Sequence, residues 1–154
     1  MANVKAIPQG YSTVTPSMTV KDAPKVIEFY KKAFDAKEHM RMPGPDGKIM
    51  HAEIQIGDSI IMLNDEFQEP AQPASLFLYV PDVDKTVAKA VKAGATVLMP
   101  PQDMFWGDRY GVVTDPYGHK WNFSTHVRDV TPEEMAAASE KFFSADKQKA
   151  DAAS

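Results

Sequence analysis

The chain repeats itself. Residues 15–37 (TPSMTVKDAPKVIEFYKKAFDAK) overlay residues 75–97 (SLFLYVPDVDKTVAKAVKAGATV) at a fixed offset of 60, which confines the fold to two copies of one supersecondary unit packed together. Five of the 23 aligned positions are identical: Val20/Val80, Asp22/Asp82, Lys25/Lys85, Lys32/Lys92 and Ala33/Ala93. Each copy also predicts the same elements in the same order. A short apolar and β-branched run (12–20; 75–80) leads into an Asp placed to cap a helix. Helices are predicted over 23–34, where Val26, Ile27, Tyr30, Ala33 and Phe34 share a face, and over 83–93, where Val83, Val87, Ala90 and Val91 do, with Gly94 as a stop. Three strands follow each helix, at 36–42, 48–56 and 59–64 and again at 95–99, 109–114 and 118–124, joined by Pro45-Asp46-Gly47, Gly57-Asp58 and Asp115-Pro116-Tyr117-Gly118.

The predicted architecture is therefore α+β: tandem βαβββ modules forming a curved, mostly antiparallel eight-stranded sheet with helices outside. One domain covers 1–126, its repeats spanning 12–64 and 75–124, with a linker at Asp65–Ala74. Beyond it, Thr131-Pro132-Glu133-Glu134 is a capping box that starts a C-terminal helix with Met135, Ala138, Phe142 and Phe143 on one side. From Asp146 onward the chain has too little apolar surface to be held, and a frayed tail is expected.

Charge and composition remove several classes of function. Seventeen basic against 21 acidic side chains give a net charge of −4, without a basic block, so no nucleic-acid partner is expected. Apolar runs fall far short of the roughly 20 residues of a membrane helix, and MANVKAIPQG has no signal-peptide apolar stretch, so no membrane partner is expected. The absence of cysteine excludes disulfides, thiolate metal sites and cysteine nucleophiles, and fits a cytoplasmic location.

The tandem βαβββ unit, Asp22 followed by Phe29-Tyr30, and the Asp115-Pro116-Tyr117-Gly118 turn before the last strand resemble the vicinal oxygen chelate superfamily of glyoxalase I, bleomycin-resistance proteins and extradiol dioxygenases. Trp106-Gly107-Asp108-Arg109 and the run Asp129 to Met135 are similar to its PhnB-like branch. In the superfamily's metal enzymes each half gives two ligands to a cup. Carried onto this chain, those positions are Thr15, Met62, Ser75 and Asn122. None offers a carboxylate or imidazole, so the resemblance implies no metal and no cofactor. It also implies a homodimer, to which the apolar tail helix is a second pointer.

The remaining residues set the candidate site. Strand 48–56 alternates His51, Glu53 and Gln55 against Ala52, Ile54 and Ile56, so its polar face either lines the cup or is simply solvated. Ile60, Met62 and Asn64 are expected on the same side. In PPQDMFWGDRY, Phe105 and Trp106 either pack structurally or wall a pocket for a flat ligand. Arg109 either forks a carboxylate or phosphonate, or pairs with Asp108, Asp115 or Glu53. Asn122 shares a face with Lys120 and Ser124, opposite Trp121 and Phe123. The expected function is metal-free binding of a small organic molecule among His51, Glu53, Asn64, Phe105, Trp106, Arg109 and Asn122. The alternative is a metal-dependent lyase, isomerase or dioxygenase with non-standard ligands such as His51 and Glu53, with His119 as a further donor, or the same His–Glu pair acting as acid and base without metal. A cup filled by the chain's own side chains is the third reading.

Overall fold

The helix of each repeat begins where an aspartate satisfies one of its first free N–H groups. Asp22 accepts from Lys25 N at 3.4 Å and Asp82 from Lys85 N at 3.0 Å. A residue on the last strand of each module completes the cap: Asp65 Oδ1 accepts from Ala23 N at 2.8 Å, and sixty positions later Thr125 Oγ1 accepts from Val83 N at 2.9 Å. The computed structural model, which describes residues 4–152, thus reproduces the repeat down to single hydrogen bonds. The first module comprises β1 (Ser17–Val20), α1 (Ala23–Phe34), β2 (Lys37–Pro43), β3 (Ile49–Ile56) and β4 (Ser59–Asp65). The second comprises β5 (Ser75–Tyr79), α2 (Val83–Ala93), β6 (Thr96–Asp103), β7 (Asp108–Thr114) and β8 (Lys120–His126), and α3 (Pro132–Ala152) closes the described chain.

The eight strands divide evenly into two mixed sheets, ordered β1-β4-β3-β2 and β5-β8-β7-β6. β1 runs parallel to β4 with Ser17 opposite Met62, and β5 parallel to β8 with Phe77 opposite Asn122, again sixty residues apart on both strands. The other neighbours are antiparallel.

The two modules share one core. Ile54 and Leu63 of the first sheet, Val26 and Ile27 of α1, Val87 of α2, and Trp121 and Phe123 of the second sheet belong to a single buried cluster. Phe34 of α1 lies 4.4 Å from the Trp121 ring and 5.5 Å from Phe123. Each such side chain contributes about 1.5–3 kcal/mol by leaving water. Asp115, buried in the turn before β8, adds a polar joint: Oδ1 accepts from Tyr117 N (2.9 Å) and His119 N (3.0 Å), and Oδ2 from Tyr30 hydroxyl (2.8 Å) and Trp121 Nε1 (3.0 Å). An ion pair of 2.5 Å between Asp35 and Lys89 joins the helices at the rim. With helices and inner sheet faces gathered in one core, the second face of each sheet turns away from it.

Several boundaries differ from the sequence reading. β1 starts at Ser17, because Thr15 turns back to Ser12 O at 2.9 Å. β6 runs through Pro100 and Pro101 to Asp103; as an edge strand with an irregular register it tolerates residues that cannot donate to a ladder. β8 reaches His126, which brings that residue onto the Asn122 side. The capping box forms as expected, with Thr131 N donating to Glu134 (2.9 Å) and Glu134 N to Thr131 Oγ1 (3.2 Å). The α3 backbone continues past Asp146 to Ala152, beyond the point where fraying is expected.

Candidate functional site

The outward face of the first sheet carries a bonded histidine and glutamate. Along β3, Ala52 and Ile54 enter the core while His51, Glu53 and Gln55 stay partly exposed on the other side. Glu53 stands opposite Met62 on β4, and across the edge Met40 and Met42 of β2 pair with Glu53 and His51. His51 Nε2 lies 3.1 Å from Glu53 Oε1, and the Tyr11 hydroxyl donates to Oε2. Those two donors, the phenol first and the imidazole second, hold the Glu53 carboxyl below the usual carboxylate range; the same bond pushes the Tyr11 phenol up. Asn64 is committed locally, its Nδ2 donating to Thr19 Oγ1 at 3.2 Å and Asp65 O at 2.9 Å. The N-terminal segment crosses this face and encloses, with Glu53 and Met62, an open cleft of about 520 Å³.

The outward face of the second sheet is aromatic. Phe77 stacks on Tyr110 at 5.9 Å, Tyr79 lies 5.3 Å from Phe77, and Trp106 meets Tyr110 edge-on at 5.8 Å. Phe105 touches Trp106 at 5.1 Å and Phe142 of α3 at 5.4 Å, so α3 rests on the β6–β7 loop. Phe77 is 52% and Tyr79 69% exposed, a large apolar surface for residues outside a core. At one end His126 bridges Asp108 (2.8 Å) and Asp129 (3.1 Å), and these two carboxylates raise its pKa above 6.5, Asp108 contributing more.

The site residues expected from sequence therefore fall into two groups that one chain does not bring together. His51, Glu53 and Asn64 lie on the first outward face; Phe105, Trp106 and Asn122 belong to the second. Arg109 belongs to neither. Gly111, two residues on, sits against Val87 of α2, so Arg109 points to that helix, forking Asp84 through Nε (2.6 Å) and Nη2 (2.8 Å) and reaching Asp103 at 3.1 Å. It pairs with none of Asp108, Asp115 or Glu53. His119 is buried, its Nδ1 accepting from Ala74 N at 3.1 Å, and is not part of a site with His51 and Glu53.

The donor positions implied for a metal do not fit one. Thr15 precedes β1 and donates to Ser12 O, and Met62 offers only a thioether. Asn122 is buried and spent: its Oδ1 accepts from Tyr110 hydroxyl at 2.7 Å, and its Nδ2 donates to Ser75 Oγ (3.2 Å) and Leu76 O (2.9 Å). Neutral groups, two of them already bonded to each other, make a poor divalent-cation set. Among the described residues no group of three or more His, Asp or Glu is arranged to hold an ion, and no helix is long and apolar enough to cross a membrane.

Sequence reasoning missed Tyr11, Phe77, Tyr79 and Tyr110. For Phe77 the register signal existed, since it stands sixty positions after Ser17 and opposite Asn122. Tyr11 carried none beyond its neighbouring Gly10. A second cleft, about 680 Å³, opens between the modules beside edge strand β5, lined by Phe34, Ile61, Leu76, Leu78 and Phe123.

Comparison with known proteins identifies the family and the fold. The model of the Glyoxalase/Bleomycin resistance protein/Dioxygenase superfamily matches residues 12–123. The protein Mb0911c of Mycobacterium bovis is 43% identical over 137 residues, covering 81% of this chain and 90% of its own. Among solved structures, TioX from Micromonospora sp. ML1 aligns with a TM-score of 0.65 at 25% identity, covering 75% of this chain and 99% of that one. TnmS3, an antibiotic binding protein from Streptomyces sp. CB03234, aligns with 0.62 at 26% identity, covering 80% and 99%.

Proposed function

The chain belongs to the Glyoxalase/Bleomycin resistance protein/Dioxygenase superfamily, and from that premise we propose that it is a metal-free binding protein for a small organic molecule. The observation that carries this reading is the state of the four positions where a cation would be held. Asn122 bonds both Tyr110 and Ser75, while Met62 lines an open cleft. The likeness to an antibiotic binding protein supports the same class. Within the superfamily the Trp106–Arg109 and Asp115–Gly118 motifs support a PhnB-like placement.

The ligand is held between an aromatic surface and a polar one. Phe77, Tyr79, Tyr110 and Trp106 supply stacking area, worth about 25 cal/mol per Å² of apolar surface covered, and Glu53, His51 and Tyr11 orient the guest. Because these faces point away from one core, a second copy of the chain completes the site, setting the first face of one subunit against the second face of the other. The free edges of β1 and β5 and the cleft beside β5 support such a homodimer. Light scattering at micromolar concentration should give twice the chain mass; one chain mass would remove the composite site.

Fluorescence titration with amphipathic antibiotics, aromatic acids and phosphonates tests the binding reading. Saturable quenching that disappears in Trp106→Phe is expected, and a panel without quenching or thermal shift would end it. The bonded His51–Glu53 pair favours one second reading, acid–base catalysis without metal. Should turnover be found, His51→Ala would then cost about 10²–10⁴ in rate.

A further inference from the structure

We propose that the cleft beneath the N-terminal segment takes an organic cation, an amine or amidine on an apolar body, with its charged nitrogen on Glu53. The inference rests on the reading that the first outward face is a ligand site, and deepens it by naming the ligand's charge.

The walls carry the argument. Ile7, Pro8 and Tyr11 form one side of the cleft and Met62 part of the other, and Glu53 is the single charged residue among the described residues lining it. Among the described residues no lysine or arginine lines it. Three cations of the two modules are engaged elsewhere: Arg109 holds Asp84 and Asp103, and Arg41 and Lys31 both hold Glu38. An anion entering this cleft meets a carboxylate with no compensating charge, whereas a cation meets its partner in a setting less screened than open water.

The hydrogen bonding of Glu53 suits the same guest. Its side chain is 13% exposed, and each oxygen has one protein donor, Tyr11 on Oε2 and His51 on Oε1. A carboxylate has about four acceptor sites, so both oxygens keep capacity for the several N–H donors of an ammonium or amidinium group. The two protein donors keep Glu53 ionised through the neutral range. Met62, Ile7 and Pro8 cover an apolar body, and the volume, about 520 Å³, lies within the range of sites for drug-sized ligands. Residues 6–11 lie outside the stretch that the superfamily model matches, 12–123, and Tyr11 ties this side of the cleft to Glu53.

The test uses three probes of one shape on the full chain at pH 7.5, by calorimetry: 2-(1-naphthyl)ethylamine, 2-(1-naphthyl)ethanol and 1-naphthaleneacetate. The amine should bind about tenfold or more tighter than the alcohol, with the acetate weakest. In Glu53→Gln the ratio of amine to alcohol affinity should fall to within about twofold. Equal affinities for amine and alcohol in the wild type, tighter binding of the acetate, or an advantage that survives Glu53→Gln would each overturn the proposal. Should that variant fail to fold, the wild-type comparison decides alone. If no naphthyl probe binds while a neutral or anionic antibiotic quenches Trp106, the cation assignment falls and the binding reading stands. If nothing binds, both fall.

Discussion

Replacing Asp115 by asparagine should separate the two modules energetically while leaving each one's sequence intact. The wild-type carboxylate takes four donors, two from its own turn and two from the Tyr30 hydroxyl and Trp121 indole, both fully buried. Asparagine keeps Oδ1 for the backbone N–H groups but turns an NH₂ toward the indole N–H, leaving at least one buried donor without an acceptor. An unmet buried donor costs about 1–3 kcal/mol, and bonds to a charged acceptor are worth about 1.5–3 kcal/mol each, so a loss of about 3 kcal/mol is expected. Tyr30→Phe removes one donor and leaves the other three satisfied, for about 1–1.5 kcal/mol. Urea unfolding followed by circular dichroism measures both, and the double variant should lose at least about 0.5 kcal/mol less than the sum, since the residues share a bond. If Asp115→Asn shifts stability by under about 0.5 kcal/mol, or the two changes add without coupling, α1 is not joined to the second sheet in this way. The outward direction of the two site faces, which depends on that joint, would then be wrong as well.

Three further outcomes follow from named contacts. Arg109→Ala should leave ligand affinity within about twofold, because its guanidinium is held by Asp84 and Asp103 on the helix side; a tenfold loss in titration would return it to the site. His126 should titrate above 6.5 by NMR, with Asp108→Asn lowering its midpoint more than Asp129→Asn. Since the folded-state value is the raised one, the stability from this pair is complete below the unfolded value and fades as pH rises through the folded one; a midpoint at or below 6.5 would contradict it. Gly107→Ala should destabilise by about 3 kcal/mol or more. At φ +96° a new Cβ meets the Arg128 carbonyl oxygen and, at 2.8 Å, Val130 Cγ2, and an unchanged melting midpoint would refute that packing.

Much of the fold was legible because the sixty-residue period is carried by residues with local jobs. Asp22 and Asp82 cap helices, and the apolar faces of both helices show at three- and four-residue spacing. Alternation along β3 correctly separated His51 and Glu53 from Ala52 and Ile54. It could not reveal how one module turns relative to the other, which depends on long-range contacts such as Phe34 with Trp121 and Tyr30 with Asp115. Hence residues expected around one cup lie on two outward faces. The facing of Arg109 was hidden for a related reason: the irregular pairing of β6 breaks the sixty-residue correspondence there, and the bonds to Asp84 of α2, with the close approach of Gly111 to Val87, fix it. The Trp106–Arg109 motif proves largely structural, since Gly107 O receives Val127 N and Arg128 N, Asp108 holds His126, and Arg109 holds α2. Tyr11 was invisible because a lone tyrosine before the first strand has no periodic signature, and only its bond to Glu53 reveals it.

Elemental analysis of the full-length protein, purified without chelators, addresses most directly whether this scaffold works without an ion. With Thr15, Met62, Ser75 and Asn122 offering only neutral and largely committed donors, zinc, nickel, manganese and iron should all be far below one per chain. One equivalent of any of them, lost on Asn122→Ala or Met62→Ala, would contradict that.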